Sequence, residues 1–403
     1  MTAPAGPRYK NMNMRIILTI VLGAALALAA ACGATPAEPP PAARPLSPLA
    51  QLGERIFEDT SLSASGRMAC ATCHDEAHAF TPANGLPVQL GGAGLDLPGT
   101  RQAPAIRYLA LSGPFRFEAD GTPAGGFFWD GRAASLADQA AGPFLNPVEM
   151  AMPSRAAVVE RLAAAPYADA LRALFGPAVF DDVDGAYTRM TLAIEAYERE
   201  DVAFAPYSSK YDAFLRGEAR LSDQELRGLV LFNAPSKGNC AACHPSKGSP
   251  GGAPPLFTDF TYDALGVPRN PAIPANADPA HFDLGLCGRP ELQHRRDLCG
   301  AFKVPSLRNV AQRKVFFHNA RFTSLEEVLH FYVERDTNPE RFYPPDGQGG
   351  VRKFDDLPPE LHRNVNVSEP PYDRRPGQPP ALDDAEIADV ITFLKTLDDG
   401  FTP

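Results

Sequence analysis

Cys70-Ala71-Thr72-Cys73-His74 and Cys240-Ala241-Ala242-Cys243-His244 are two copies of C-x-x-C-H in one chain. At that spacing the two thiols can add across the two vinyl groups of one haem, while the adjoining His reaches the iron from the proximal side. The pair predicts two covalently bound haem c groups, attached at Cys70 and Cys73 and at Cys240 and Cys243, with His74 and His244 on the irons. A thioredoxin-like reading needs one C-x-x-C on a βαβ unit and gives neither His a role. A disulfide-only reading leaves both repeated His unexplained.

Working outward, Leu52-Gly53-Glu54-Arg55-Ile56-Phe57 stands ahead of the first motif and Arg227-Gly228-Leu229-Val230-Leu231-Phe232 ahead of the second. This weak internal repeat predicts two tandem cytochrome c-like helical domains. Near the end, Leu382-Asp383-Asp384-Ala385-Glu386-Ile387 opens a helix with Ile387, Val390, Ile391 and Leu394 at i, i+3, i+4 and i+7. Its acidic first turn suits the helix dipole, and it reads as the closing helix of the second domain. The expected fold is mainly α, two haem domains over 48–215 and 216–403 with long irregular loops. The 42 Pro and 33 Gly among 403 residues argue against a coiled coil or helical solenoid. A net charge of −10 argues against nucleic acid as partner.

Lys10 and Arg15 precede an apolar run from Ile16 to Ala31 that ends at Cys32. That is a secretory pattern, too marginal for a membrane span. Ala29-Ala30-Ala31 before Cys32 resembles a lipoprotein signal, in which Cys32 becomes the acylated N-terminus and anchors the protein to the membrane; plain cleavage nearby is the alternative. Residues 1–32 are thus expected to be a signal peptide, 33–47 a stiff Pro/Ala tether, and the mature protein periplasmic. Of the seven Cys, this leaves Cys287 and Cys299, a pair in a Gly/Pro-flanked loop expected to form a disulfide in an oxidising compartment.

What completes each iron's coordination decides between electron transfer and peroxide chemistry. All seven Met precede Cys240, so the second domain has none to offer its own haem. It keeps His281, His294, His318, His330 and His362 and several Tyr. In Leu325-Glu326-Glu327-Val328-Leu329-His330-Phe331-Tyr332 the apolar stripe is 325, 328, 329 and 332, which turns Tyr332 inward and His330 elsewhere. By pattern alone, an inward Tyr is equally a core residue.

Phe128-Trp129-Asp130-Gly131-Arg132, Asn146-Pro147-Val148-Glu149-Met150, Val304-Pro305-Ser306-Leu307-Arg308-Asn309-Val310 and Phe317-His318-Asn319 join the two haem motifs in a wider pattern. With them the chain resembles the bacterial di-haem cytochrome c peroxidase and MauG family over about residues 48–400. The resemblance implies that Tyr332, fourteen residues after His318, is the distal ligand of the second haem, as in the MauG branch. Leu90, sixteen residues after His74, stands where a distal His would be, so the first haem is expected to be open. His78 is then a structural residue or a propionate contact. The resemblance makes Glu149 the catalytic acid–base, Gln139 the pocket amide, Pro143 a pocket wall and Trp129 the residue between the haems. Arg132 becomes a propionate partner or packs against Asp130. Gln102 and Arg313-Lys314-Val315 stand where the family holds calcium; two cations there argue against calcium, with Arg313 replacing its charge.

The function expected is reduction of hydrogen peroxide at the N-terminal haem, with the His/Tyr haem as electron entry or hole store. Electrons would come from a small exported cytochrome c or cupredoxin, or from a protein substrate oxidatively modified in the MauG manner. The rival of another class is a non-catalytic di-haem carrier, with two six-coordinate haems inert to peroxide. Residues 335–381, polar and Pro-rich, read as a surface excursion toward a partner.

Overall fold

A computed structural model describes residues 44–248 and 252–402. The signal peptide, Cys32 and residues 33–43 of the tether lie outside them. Helices begin where short polar side chains can take the free amides of a first turn. Ser47 caps α1 (Pro48–Glu58), with Pro48 at the first position, where no amide partner is lost. Then come the turn α2 (Cys70–Cys73), α3 (Leu136–Leu145), α4 (Arg155–Ala164), α5 (Ala168–Phe175) and α6 (Val183–Glu200). The second half holds α7 (Lys210–Leu215), α8 (Asp223–Asn233), α9 (Leu325–Glu334) and α10 (Asp384–Leu394). Ser222, Ser324 and Asp383 form reciprocal capping boxes with Glu225, Glu327 and Glu386. The chain is mainly helical. Among the described residues the strands are three antiparallel two-residue pairs: β1 (Leu90–Gly91) with β2 (Leu97–Pro98), β3 (Arg116–Phe117) with β4 (Pro123–Ala124), and β5 (Tyr262–Asp263) with β6 (Phe302–Lys303).

The internal repeat marks two equivalent helix crossings. A Cβ on Gly53 of α1 would lie 1.9 Å from the carbonyl oxygen of Ala193 on α6, and one on Gly228 of α8 would lie 2.1 Å from that of Asp389 on α10. Backbone meets backbone at both points, so only glycine fits. Each crossing sits in its own core. Leu52, Ile56, Phe144, Leu162 and Ile194 belong to the first; Phe232, Phe257, Phe331, Val390 and Phe393 belong to the second.

Some sequence expectations shift. Helix α7 packs into the second core through Tyr211, and its Asp212 forms a fully buried bidentate pair with Arg308 at 2.8 and 2.9 Å. Helix α7, just ahead of residue 216, thus contributes to the second core. Residues 335–381 are not a surface excursion: Phe342, Tyr343, Phe354, Leu357, Leu361 and Val365 are buried in the second core. His330 does face away from the apolar stripe, but it is buried, with Nδ1 2.9 Å from Glu334. Cys287 and Cys299 are joined as a disulfide, buried in the second core rather than lying in a polar loop. An arm of the first half inserts into the second, where the Tyr262 hydroxyl donates to the Gly125 carbonyl (2.6 Å) and the Gly125 amide donates to Phe260 (3.0 Å). No helix among the described residues is long and apolar enough to cross a membrane.

Candidate haem centres and peroxide pocket

Each C-x-x-C-H folds as one tight helical turn closed by the His amide, which donates to the first Cys carbonyl at 3.0 Å for His74 and 2.9 Å for His244. The turn brings both sulfurs and the imidazole to one side. Both imidazoles are then fixed alike. Nδ1 of His74 meets the Phe80 carbonyl at 3.2 Å, and Nδ1 of His244 meets the Phe257 carbonyl at 2.8 Å. A carbonyl only accepts, so Nδ1 carries the proton and Nε2 keeps a free lone pair for a metal. Phe80 and Phe257 both adopt left-handed backbone, at φ 54° and 53°, which aims their carbonyls. Burial holds both imidazoles neutral, with His74 lowered to about 4.

Cys240, Cys243 and His244 open into one large cavity also lined by Tyr332 and Tyr372. Val390 and Leu394 of α10 form an apolar wall. One cation faces this space without an ion-pair partner among the described residues: burial lowers the Arg313 guanidinium to about 10. Arg107, also lining it, is paired with Asp399 at 3.6 Å and leaves only a buried Nε without an acceptor. An apolar slot with an imidazole, two unbridged thiols and an unpaired guanidinium suits a haem, whose propionates would supply an anion. Gln102 keeps one buried side-chain oxygen that is unpartnered among the described residues. The nearby Asp283 and Asp130 are both held by Arg101, at 2.6 Å each.

Trp129 lines the same cavity from the first half. Its Nε1–H donates to the Gln102 carbonyl at 2.8 Å, and its own carbonyl accepts from the Lys303 amide of β6 at 2.9 Å. Next to it, Arg101 ties Asp130 of the first half to Asp283 of the second.

A second, polar pocket is lined by Phe128, Arg132, Asp138, Gly142, Asn146 and Glu149, with Ala133 and Ala134. None of these is a His, Met, Cys or Tyr. Desolvation raises the Glu149 carboxyl, while Arg132 and a hydrogen bond from Asn146 pull it back. Burial, with a further push from the Glu149 charge, raises the Cys73 thiol to about 11. β1 fixes the Glu149 backbone: the Gly92 amide donates to the Glu149 carbonyl at 2.8 Å, and a Cβ on Gly91 would lie 2.7 Å from Glu149 Cα. Leu90 beside them is 44% exposed and points away.

Of the residues singled out by sequence, Glu149 and Arg132 come together in this pocket, and Tyr332, His244, Cys240, Cys243 and Trp129 in the apolar cavity. Arg132 lies on Asp130 at 2.9 Å with its guanidinium 3.6 Å above the Phe128 ring. Gln139 is half-buried on α3, one helical turn before the pocket-lining Gly142, and Asn146 is an amide among the residues that line the pocket. His78 is paired with Asp75 at 2.8 Å on the surface of its turn. Asn146 and the Phe80 and Phe257 carbonyls were missed by sequence; for Asn146 the signal was its place three residues before Glu149 in an Asn-Pro turn.

Comparison with known proteins adds an independent line. A family profile described as di-haem cytochrome c peroxidase matches residues 47–220. The chain is 38% identical to the methylamine utilization protein MauG of Paracoccus denitrificans over 87% of this chain and 88% of that one. It is 29% identical to the cytochrome c551 peroxidase of Nitrosomonas europaea, covering 78% and 81% of the two chains. Among solved structures, the diheme peroxidase BthA from Burkholderia thailandensis superposes with a TM-score of 0.81 at 40% identity, covering 89% of this chain and 87% of that one.

Proposed function

This chain belongs to the di-haem cytochrome c peroxidase and MauG family, and from that premise we propose that it is an exported oxidoreductase reducing hydrogen peroxide at its N-terminal haem. The observation that carries the reading is an asymmetry. His244 shares its cavity with Tyr332, a second candidate ligand, whereas the pocket of the first half holds the Glu149 carboxyl and no His, Met, Cys or Tyr. A haem at His244 would find a second ligand in Tyr332, and one at His74 would keep a face free for substrate.

When bound, each haem supplies an iron that exchanges single electrons; peroxide takes two electrons and two protons and leaves as two waters. The residues supply the rest. Glu149, held between protonated and charged forms by opposing influences, accepts the proton from the near peroxide oxygen and returns it to the far one. Arg132 and Asn146 hold the carboxylate between the two transfers. Trp129, read as the relay between the centres, lines the His244 cavity, and its Nε1–H is bonded to a backbone carbonyl that cannot take the proton. The indole thus passes an electron without losing its proton. A phenolate at Tyr332 is a hard anionic donor that lowers the potential of the second centre, suiting it to store oxidising equivalents.

The electron source is a small exported cytochrome c or cupredoxin, or a side chain of a protein substrate; Tyr332 favours the second, MauG-type reading. Residues 48–209 form the peroxidatic unit and the rest the electron-entry unit. Cys32 lipidation, and with it a membrane anchor in the periplasm, rests on the Ala-rich run before it. The test is the optical spectrum of the ferric holoprotein before and after one equivalent of peroxide. A high-spin band consumed by peroxide is expected; two low-spin haems that ignore peroxide would mean a carrier.

A further inference from the structure

The Trp129 indole can pass an electron but has no base to take its proton, so a hole that must rest in the protein needs a different side chain. The tyrosine hydroxyls that donate hydrogen bonds among the described residues sort by what accepts. Tyr187, Tyr211, Tyr262 and Tyr343 donate to the carbonyls of Ala141, Ser246, Gly125 and Gly266, which cannot take a proton either. Tyr108 and Tyr167 donate to carboxylates: Tyr108 to Asp399, 2.8 Å from each oxygen, and Tyr167 to Asp59. Tyr167 belongs to the first core alone.

Tyr108 is 3% exposed and tied to both halves. Its amide donates to the Phe204 carbonyl at 2.8 Å; the Phe204 ring stacks on Phe80 at 4.0 Å, and the Phe80 carbonyl holds His74. Its chain neighbours Arg107 and Leu109 line the His244 cavity. So does Arg308, whose guanidinium carbon lies 4.8 Å from the Tyr108 ring centroid. The half-buried Tyr207 packs edge-on against Tyr108, with ring centroids 5.0 Å apart.

Asp399 is held as a carboxylate. It accepts from Asn309 Nδ2 at 2.6 Å and from the Ser208 amide at 3.1 Å, and Arg107 lies 3.6 Å away. Burial is the largest influence keeping the Tyr108 hydroxyl protonated. Removing an electron from a phenol makes its hydroxyl strongly acidic, so a carboxylate already bonded to it takes the proton with no group moving. Arg308 would oppose a positive charge on the ring. It is itself paired with Asp212, and transfer of the proton leaves the ring neutral.

We propose that Tyr108 and Asp399 form a proton-coupled resting place for one oxidising equivalent, a second site besides Trp129 for holes made by peroxide. This rests on the peroxide-reducing reading above. One electron leaves the Tyr108 ring for the peroxide-oxidised haem pair while the hydroxyl proton moves to Asp399. The phenol O–H bond breaks, a carboxyl O–H bond forms, and a neutral phenoxyl radical remains. An electron from the donor protein or protein substrate reverses both transfers.

The experiment mixes the di-haem holoprotein with peroxide in the absence of donor and freeze-quenches it for electron paramagnetic resonance. A tyrosyl signal is expected that narrows with ring-deuterated tyrosine and is lost in Tyr108→Phe. Asp399→Asn keeps an acceptor oxygen but no base, so the signal should be lost there too, with the ferric haem spectrum unchanged. Decay of the peroxide-oxidised optical bands should be slower in both variants. In the parent that decay should slow on transfer to D2O, and in the variants it should not; the D2O and ring-deuteration measurements on the parent need no variant. A signal that survives Asp399→Asn, or that survives Tyr108→Phe and vanishes in Tyr167→Phe, overturns the proposal. Peroxide consumed with no tyrosyl signal also overturns it and leaves the peroxide-reducing reading standing. A holoprotein whose haem spectrum ignores peroxide brings down both.

Discussion

The two halves share a frame and differ in what faces the haem. Gly53 on α1 meets α6 as Gly228 on α8 meets α10, and in each half a left-handed Phe turns its carbonyl onto the proximal His. Register taken from the two crossings makes Ala193 equivalent to Asp389, Tyr197 to Phe393 and Glu198 to Leu394. The proximal sides are therefore copies. On the reading proposed above, the division of labour lies in the opposite faces, Glu149 against Tyr332.

The largest test of that division is Glu149→Gln, which removes the proton carrier and leaves its shape. Stopped-flow mixing with peroxide should show the rate constant falling by about 10²–10⁴-fold, the usual worth of a general acid–base. Both haem spectra should be unchanged before mixing. A variant that reacts at the wild-type rate would remove the functional difference between the halves. The shared frame can be broken next. Gly53→Ala and Gly228→Ala each drive a Cβ into a backbone carbonyl that cannot rotate aside, so each should cost about 3 kcal/mol, the upper part of the overpacking range. Denaturant midpoints should fall by similar amounts in the two variants. If only one falls, the crossings are not equivalent.

How much of this could be read from residues follows from what each feature is made of. Haem attachment needs two thiols and an imidazole adjacent in the chain, so both centres were plain, and the glycine repeat betrayed the crossings. The Phe80 and Phe257 carbonyls were not readable, since a backbone oxygen has no letter of its own and only the fold decides where it aims. Asn146 reaches Glu149 through the geometry of an Asn-Pro turn, which no single residue type announces. Residues 335–381 misled because their anchors, Phe342, Tyr343, Phe354, Leu357, Leu361 and Val365, lack any helical or strand period and are diluted by Pro and charge. The burial of α7 was hidden likewise, since Asp212 looks like a surface residue until Arg308 is seen beside it.

The finest difference between the closing helices is Glu198 against Leu394. Glu198 is 6% exposed, and its Oε2 has no hydrogen-bond partner among the described residues. Burial, reinforced by Glu195 and opposed by Arg199, raises its carboxyl to about 8. In the unfolded chain the same group loses its proton near pH ~4.3. Between these values the folded state holds a proton the unfolded state has released, so stability falls as pH rises from about 4.5 to about 8. A tenfold change in proton affinity corresponds to about 1.4 kcal/mol, but water and relaxation around a strained carboxylate relieve part of that cost, leaving an effect of about 2 kcal/mol. Glu198→Gln should therefore match the parent near pH 4.5 and exceed it at pH 8 in urea midpoints. Leu394→Glu should import the same downward slope into the second half. A parent protein whose stability is as flat across this range as that of Glu198→Gln would mean that Glu198 is solvated in the folded state, and that the two closing helices present equivalent faces after all.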